Sequence, residues 1–347
     1  MKAFATVGFP MIAVLASAAA PEPVVYTGAA DASAAAALSD GEFVVANDED
    51  STLRFYSMAG GKASRSVQMD MVLGLGMAGS PETDIEGVAR VGDKCYWITS
   101  HGRTAKGKVA PNRARLFATN VSEAQGTSVL KMEGTPHATL LQDLLRAKGY
   151  EGLGLAESIG PGVEKSEALA PKDRGLNIEG LSRTADGEGL LIGFRNPRPG
   201  GKALIAPLKN PSVMVAGPAT AEFGAPILLD LGGLGIRSIE WDPGRATYWI
   251  VAGPHDEKRE FALYGWKGPG EIPTRTKALD EMPPEFAPEA LVIGTDGTLR
   301  LFSDDGARRI SAEEAECLEG WMDGTCENKS LKDPERRTFR MITVAAP

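Results

Sequence analysis

The feature that most constrains this chain is a phrase that returns along it. Asp84-Ile85-Glu86-Gly87 leads into Cys95-Tyr96-Trp97-Ile98-Thr99-Ser100, and Asn177-Ile178-Glu179-Gly180 leads into Leu190-Leu191-Ile192-Gly193-Phe194-Arg195-Asn196. Fainter copies are Ser238-Ile239-Glu240-Trp241 before Tyr248-Trp249-Ile250-Val251, and Pro288-Glu289-Ala290-Leu291 before Leu299-Arg300-Leu301-Phe302. An earlier relative is Asp31-Ala32-Ser33-Ala34 before Glu42-Phe43-Val44-Val45. A unit repeated in this way cannot bury its apolar face alone, so the copies must stack or close into a ring. The repetition also sets an acidic residue at one recurring structural position.

Each repeat divides into four strand-like runs with turn residues between them. In the first these are Ala32 to Leu38, Glu42 to Ala46, Leu53 to Ser57 and Ser66 to Val72, separated by Ser39-Asp40-Gly41, Glu49-Asp50-Ser51 and Gly60-Gly61. The runs are apolar, β-branched or aromatic, and Gly, Asp and Asn punctuate them. Four strands side by side make one blade of an all-β propeller. The fifth repeat has only Ala290 to Gly294, Leu299 to Ser303 and Phe339 to Val344, while Val24-Val25-Tyr26-Thr27 is a strand without a hairpin partner. The N-terminal strand is therefore expected to complete the last blade and close a five-bladed ring, which removes two open sheet edges. Six blades follow only if residues 133–175 hide a degenerate one. Thr135-Pro136 instead opens a helix-like stretch through Leu140, Leu141, Leu144 and Leu145 to Gly149, so this region reads as an insertion on one face.

Residues 1–19 read as a secretory signal peptide, with Lys2 as the positive start, Val7 to Leu15 as the apolar stretch, and cleavage within 18–20. The expectation is an exported chain, periplasmic or secreted, folding as a single domain over residues 20–347 with no membrane span. Loss of Lys2 takes the formal charge of −9 one unit lower. An acidic chain argues against nucleic acid as a partner. Cys317 and Cys326 flank a Gly-containing loop and are expected to form a disulfide in an oxidising compartment. Cys95, between Lys94 and Tyr96 on a predicted strand, reads as a small core residue.

The set Asp84-Ile85-Glu86-Gly87, Trp97-Ile98-Thr99-Ser100-His101-Gly102-Arg103, Asn112-Arg113, Asn177-Ile178-Glu179-Gly180, Gly193-Phe194-Arg195-Asn196-Pro197 and Ser303-Asp304-Asp305-Gly306 resembles the bacterial family catalogued as domain of unknown function 3616. The resemblance covers nearly all of the chain beyond the leader and implies the propeller fold, but no activity. A looser similarity is to the phytase-like, esterase-like, gluconolactonase and paraoxonase propellers. It implies that acidic and amide residues at the start of the innermost strands hold calcium in the channel. The matching positions are Glu86, Glu179 and Glu289, with Glu240 and Asp31 as weaker matches. Glu240 needs a two-residue gap in the repeat, and the first repeat has Ser33 where the others have Glu. No histidine pair of the paraoxonase kind can be placed.

Two classes of loop share one face of a propeller. One carries Asp84, Glu86, Asn177, Glu179 and Glu289; the other carries Asp48, His101-Gly102-Arg103, Arg195-Asn196, His255-Asp256 and Asp304-Asp305. Carboxylates facing one channel repel each other unless a cation binds, some are protonated, or Arg neighbours them. Calcium suits an irregular ring of oxygen donors, and three histidines in the whole chain disfavour zinc. The expected metal ligands are Glu86, Glu179 and Glu289, with Asp84 and Asn177. The alternative is that each Glu only bonds backbone amides at a strand start. Arg103 and Arg195 are candidates to grip an anion and His101 to move a proton; otherwise they serve their loops. The expected function is a calcium-organised top face that binds or hydrolyses an anionic small molecule such as a phosphoester, ester or lactone. The competing expectation is a non-catalytic propeller, a monomer that docks a protein or glycan. Gly-x-Ser-x-Gly, a phosphate-binding Gly-rich loop and His-Glu-x-x-His do not occur, which leaves serine-hydrolase and nucleotide-binding chemistry without support.

Overall fold

The computed structural model describes residues 20–75, 82–172, 174–256 and 258–346, so the expected leader lies outside the described residues. Five antiparallel sheets form a five-bladed β-propeller. From the axis outward, the first blade is Ala34–Ala37, Glu42–Ala46, Thr52–Ser57 and Arg65–Gln68. The second is Ile85–Val91, Lys94–Thr99, Leu116–Ala124 and Thr127–His137. The third is Asn177–Arg183, Leu190–Asn196, Ala203–Leu208 and Ile227–Leu229. The fourth is Gly235–Asp242, Thr247–Gly253, Ala262–Trp266 and Thr274–Arg275. Each innermost strand packs on the next, and the fifth packs on the first.

The fifth blade is Pro288–Ile293, Leu299–Ser303 and Thr338–Val344, with Val24–Thr27 as its outer strand. Val24–Thr27 runs antiparallel to Thr338–Val344, so the two ends of the chain close the ring, as the incomplete fifth repeat requires. Gly61–Lys62 adds a short parallel pairing on its other side.

The core is divided among the blade interfaces. Successive side chains on a strand point to opposite faces, so a middle strand supplies two interfaces alternately. Ile192 and Phe194 face the second blade with Ile98 and Leu116, whereas Leu191 and its blade-mate Ile205 face Ile250 of the fourth. This is why the middle strands read as unbroken apolar runs: both faces are covered. The interface of fifth and first blades is aromatic, with Tyr26, Phe43, Tyr56, Phe302 and Phe339 all buried.

The insertion after the second blade carries α1 (Leu140–Arg146) and α2 (Leu155–Ile159). Leu140, Leu144 and Leu155 bury against the interface of the second and third blades. A further short helix, α3 (Pro211–Ala216), lies between the outer strands of the third blade, where no helix was expected. Between the second and third strands of the fifth blade, Arg309–Ser311 pairs with Thr325–Glu327, and Cys317 is bonded to Cys326. Cys95 is a buried free thiol. Among the described residues no helix is long and apolar enough to cross a membrane.

Candidate functional site

The site begins with a backbone irregularity repeated in four blades. The pairing of the innermost strand with its neighbour shifts between Ile85 and Gly87, Ile178 and Gly180, Ile236 and Ser238, and Pro288 and Ala290. The residues left over are Glu86, Glu179, Arg237 and Glu289. A bulge of this kind re-aims the side chain of the extra residue. The position after each is small because the next inner strand is close. A Cβ on Gly87 would lie 3.0 Å from Leu181 Cβ, and one on Gly180 would lie 2.7 Å from Ile236 Cγ2. Gly180→Ala should therefore destabilise the protein by about 1–3 kcal/mol through overpacking. The urea midpoint measures this, and an unchanged midpoint would mean that Ile236 moves aside freely.

The fourth repeat corrects the sequence reading. Ile236-Arg237-Ser238 aligns with Ile85-Glu86-Gly87 without a gap, so Arg237 and not Glu240 takes the ring position. Glu240 lines a cavity of about 460 Å³ with Arg90, Arg183 and Arg245. Matching by acidity picked the nearest glutamate, whereas the ladder picks the residue after the buried isoleucine. In the first blade Ser33 precedes the inner strand, and its hydroxyl donates to the Ile85 carbonyl at 2.5 Å and the Ala46 carbonyl at 3.2 Å.

Glu86, Glu179 and Glu289 are buried, and one carboxylate oxygen of each lies within 4.8 Å of the others. Arg237 binds two of them, at 3.0 Å to Glu179 and more closely to Glu289. Arg195 donates to Glu179 at 2.8 Å and the Asn177 amide donates to it at 2.7 Å, which leaves Asn177 Oδ1 without a hydrogen-bond partner among the described residues. A second register shift, between Asn177 and Ile178, leaves Arg195 over on the facing strand. Among the described residues Glu86 has neither an ion pair nor a hydrogen bond. Burial, and then the charges of Asp84 and Glu179, push its carboxyl well above the usual range. Burial does the same to Glu289 against the pull of Arg237. Asp84 is paired with Arg113 at 2.9 Å; burial still raises it to about 6.

A second group of carboxylates adjoins this ring. Asp31 is buried, its Oδ2 has no hydrogen-bond partner among the described residues, and burial and then Asp48 push it well above its normal value. Asp48 is raised to about 8, first by burial and then by Glu49 and Asp304. The basic groups Arg195 and Arg237 come from the third and fourth blades, and these extra acids from the first and fifth.

Among the described residues the other two expected residues make no bond to this ring. Arg103 is buried and donates to the carbonyls of Gly107, Glu164, Ile159, Gly160 and Val163. It ties its own loop to the insertion through both terminal guanidinium nitrogens. His101 is buried, with Nδ1 2.9 Å from the Thr99 carbonyl. Arg195 also donates to the carbonyls of Pro254 and His255, so it orients Glu179 with all three guanidinium nitrogens engaged.

A family model described as a protein of unknown function (DUF3616) matches residues 117–287, from the third strand of the second blade to the edge of the fifth. It is the family that the repeated motifs resemble. No curated protein matches the chain in sequence. Among solved structures, the chain is similar to the PQQ-bound aldose sugar dehydrogenase of Streptomyces coelicolor, at 11% identity and TM-score 0.41 over 94% of this chain and 100% of that one. It is similar to the glutaminyl cyclase of Myxococcus xanthus at 12% identity and TM-score 0.39, over 94% and 100%. A Bacteroides thetaiotaomicron protein of unknown function gives 10% identity and TM-score 0.44, over 93% and 76%.

Proposed function

We propose that this protein is an exported propeller that binds a divalent cation on its axis, calcium in the first place, and through it an anionic small molecule. One observation carries the reading: three buried carboxylates from three blades bring oxygens within 4.8 Å of one another. Calcium–oxygen distances of roughly 2.3–2.6 Å put ligands on opposite sides of one ion about 5 Å apart, which matches that spacing. Magnesium requires a tighter octahedron and fits the spread less well. Ser33, Glu86, Glu179, Arg237 and Glu289 leave the ring two negative charges, the complement of a dication. Glu86, Glu179 and Glu289 would hold the ion, with Asn177 Oδ1 as a further donor. Asp84, committed to Arg113, supports the ring from outside it.

A bound ion supplies Lewis acidity toward the oxygen of an ester, lactone or phosphoester. The chain's own part is to hold the carboxylates converged: Arg195 and Arg237 fix Glu179 and Glu289 through their terminal guanidinium nitrogens. Recognition without turnover is the second reading, since the terminal nitrogens of both guanidiniums are committed to Glu179, Glu289 and a loop carbonyl. The Cys317–Cys326 disulfide supports an oxidising location, in keeping with the leader.

The test is a thermal melt of chelator-stripped protein against calcium. Binding to the native state alone stabilises it by about 2.7 kcal/mol at 100-fold Kd. The wild-type melt should rise saturably, and more with calcium than with magnesium. Glu86→Gln should keep the fold and abolish the rise, because Glu86 has no ion pair to lose. A flat wild-type response to millimolar calcium would sink the metal reading, and turnover of a chromogenic ester or phosphoester panel would then decide whether the face is catalytic without it.

A further inference from the structure

Outside the carboxylate ring, a cavity of about 450 Å³ lies between the loop that follows the second strand of the second blade and the inserted segment. Its walls include Val109, Leu141, Ile159 and Leu176. The polar members are His101, Arg103, Arg115, Gln142, Ser158 and Glu164. His101 sits in the left-handed region at φ 53°, held there by the surrounding loop. Its Nδ1 is 2.9 Å from the Thr99 carbonyl. A carbonyl only accepts, so Nδ1 carries the hydrogen and Nε2 bears the lone pair. Nε2 is buried and has no partner among the described residues. Burial first, then the nearby His137 and Arg115, lowers the imidazole to about 4 and keeps it neutral. Arg115 donates through Nη1 to the carbonyls of Pro111 and Ala114, at 2.8 and 2.9 Å. Its Nη2 makes no hydrogen bond among the described residues.

We propose that this cavity is a second small-molecule site, for a short apolar molecule with a hydroxyl at one end and a carboxylate at the other. His101 Nε2 accepts from the hydroxyl, and Arg115 Nη2 donates to the carboxylate. The volume lies within the range of small-ligand pockets, and a few placed polar groups among apolar walls are their common make-up. Arg103, also in the wall, is committed through its terminal nitrogens to loop carbonyls, which leaves Arg115 as the cation for the carboxylate. The site does not depend on the axial cation, since neither residue bonds to Glu86, Glu179 or Glu289.

The experiment is a titration of the chelator-treated protein with 4-hydroxybenzoate and with 3-hydroxybutyrate, followed by NMR of the imidazole signals. His137 and His255 serve as internal references. At least one hydroxy acid should shift the His101 signal saturably below about 10 mM, with phenol and benzoate each about tenfold weaker than 4-hydroxybenzoate where that is the binder. Arg115→Gln should remove the advantage of 4-hydroxybenzoate over phenol, and His101→Phe its advantage over benzoate. No saturable His101 shift with either hydroxy acid would overturn the proposal, and so would equal binding of phenol and 4-hydroxybenzoate. Both outcomes are read on the wild-type protein, so a variant that fails to fold does not shelter the idea.

Discussion

Tyr26→Ala lowers the unfolding free energy by about 3–5 kcal/mol, the range for removing a large buried aromatic side chain. Tyr26 is fully buried in the N-terminal strand that closes the ring. Its ring stacks on Phe339 at 4.9 Å and meets Phe43 and Tyr56 edge-on at 5.2 and 5.4 Å. Its hydroxyl donates to the Met58 carbonyl at 3.2 Å, so the side chain joins first and last blades through packing and a hydrogen bond. Val25, the next residue along the strand, is 47% exposed, and Val25→Ala should stay within about 0.5 kcal/mol. Urea unfolding of the two variants measures the contrast. A loss below about 1 kcal/mol for Tyr26→Ala would mean that the closing strand adds little to the stability of the ring.

Arg237→Met destabilises the metal-free protein by about 3–5 kcal/mol at neutral pH, because it strips the counter-charge from two buried carboxylates. The loss should shrink on acidification. Glu86 and Glu289 already hold their protons to higher pH when folded than when unfolded. A native state that binds more protons than the unfolded chain loses stability as pH rises. In the wild type the same sign applies to Asp84 and Asp48, raised to about 6 and about 8. The chelated wild-type protein should therefore melt lower as pH rises from about 5 through 8, and the variant should fall more steeply. Calcium should flatten both profiles by replacing protons on the ring. Melts across pH, with and without calcium, decide this; a loss that is independent of both would make Arg237 a packing residue.

Much of the architecture was legible because its causes are local. Alternation of apolar runs with Gly and Asp turns marks strands wherever they lie, and the missing strand of the fifth repeat implied a partner from the N-terminus. Leu140 and Leu144, four apart, marked α1 before their burial was known. The convergence of Glu86, Glu179 and Glu289 was legible too, since equal positions in a cyclic repeat must face the same axis. The helix α3 was not, because six residues between two strands carry too little periodicity to distinguish them from a loop.

The sequence by itself determined the repeat, the closure, the disulfide pair and the three converging acids, each set by neighbours in the chain or by the symmetry of recurrence. Tertiary structure alone decided which residues neutralise those acids and which leave the ring altogether. Arg237 entered because the bulge follows the ladder and not the charge. Arg103 left because five carbonyls of the insertion and its own loop surround its guanidinium, and His101 because its imidazole lines the cavity under that insertion. Ion pairing depends on distance and burial between segments far apart in the chain, and a pattern of residue types carries neither.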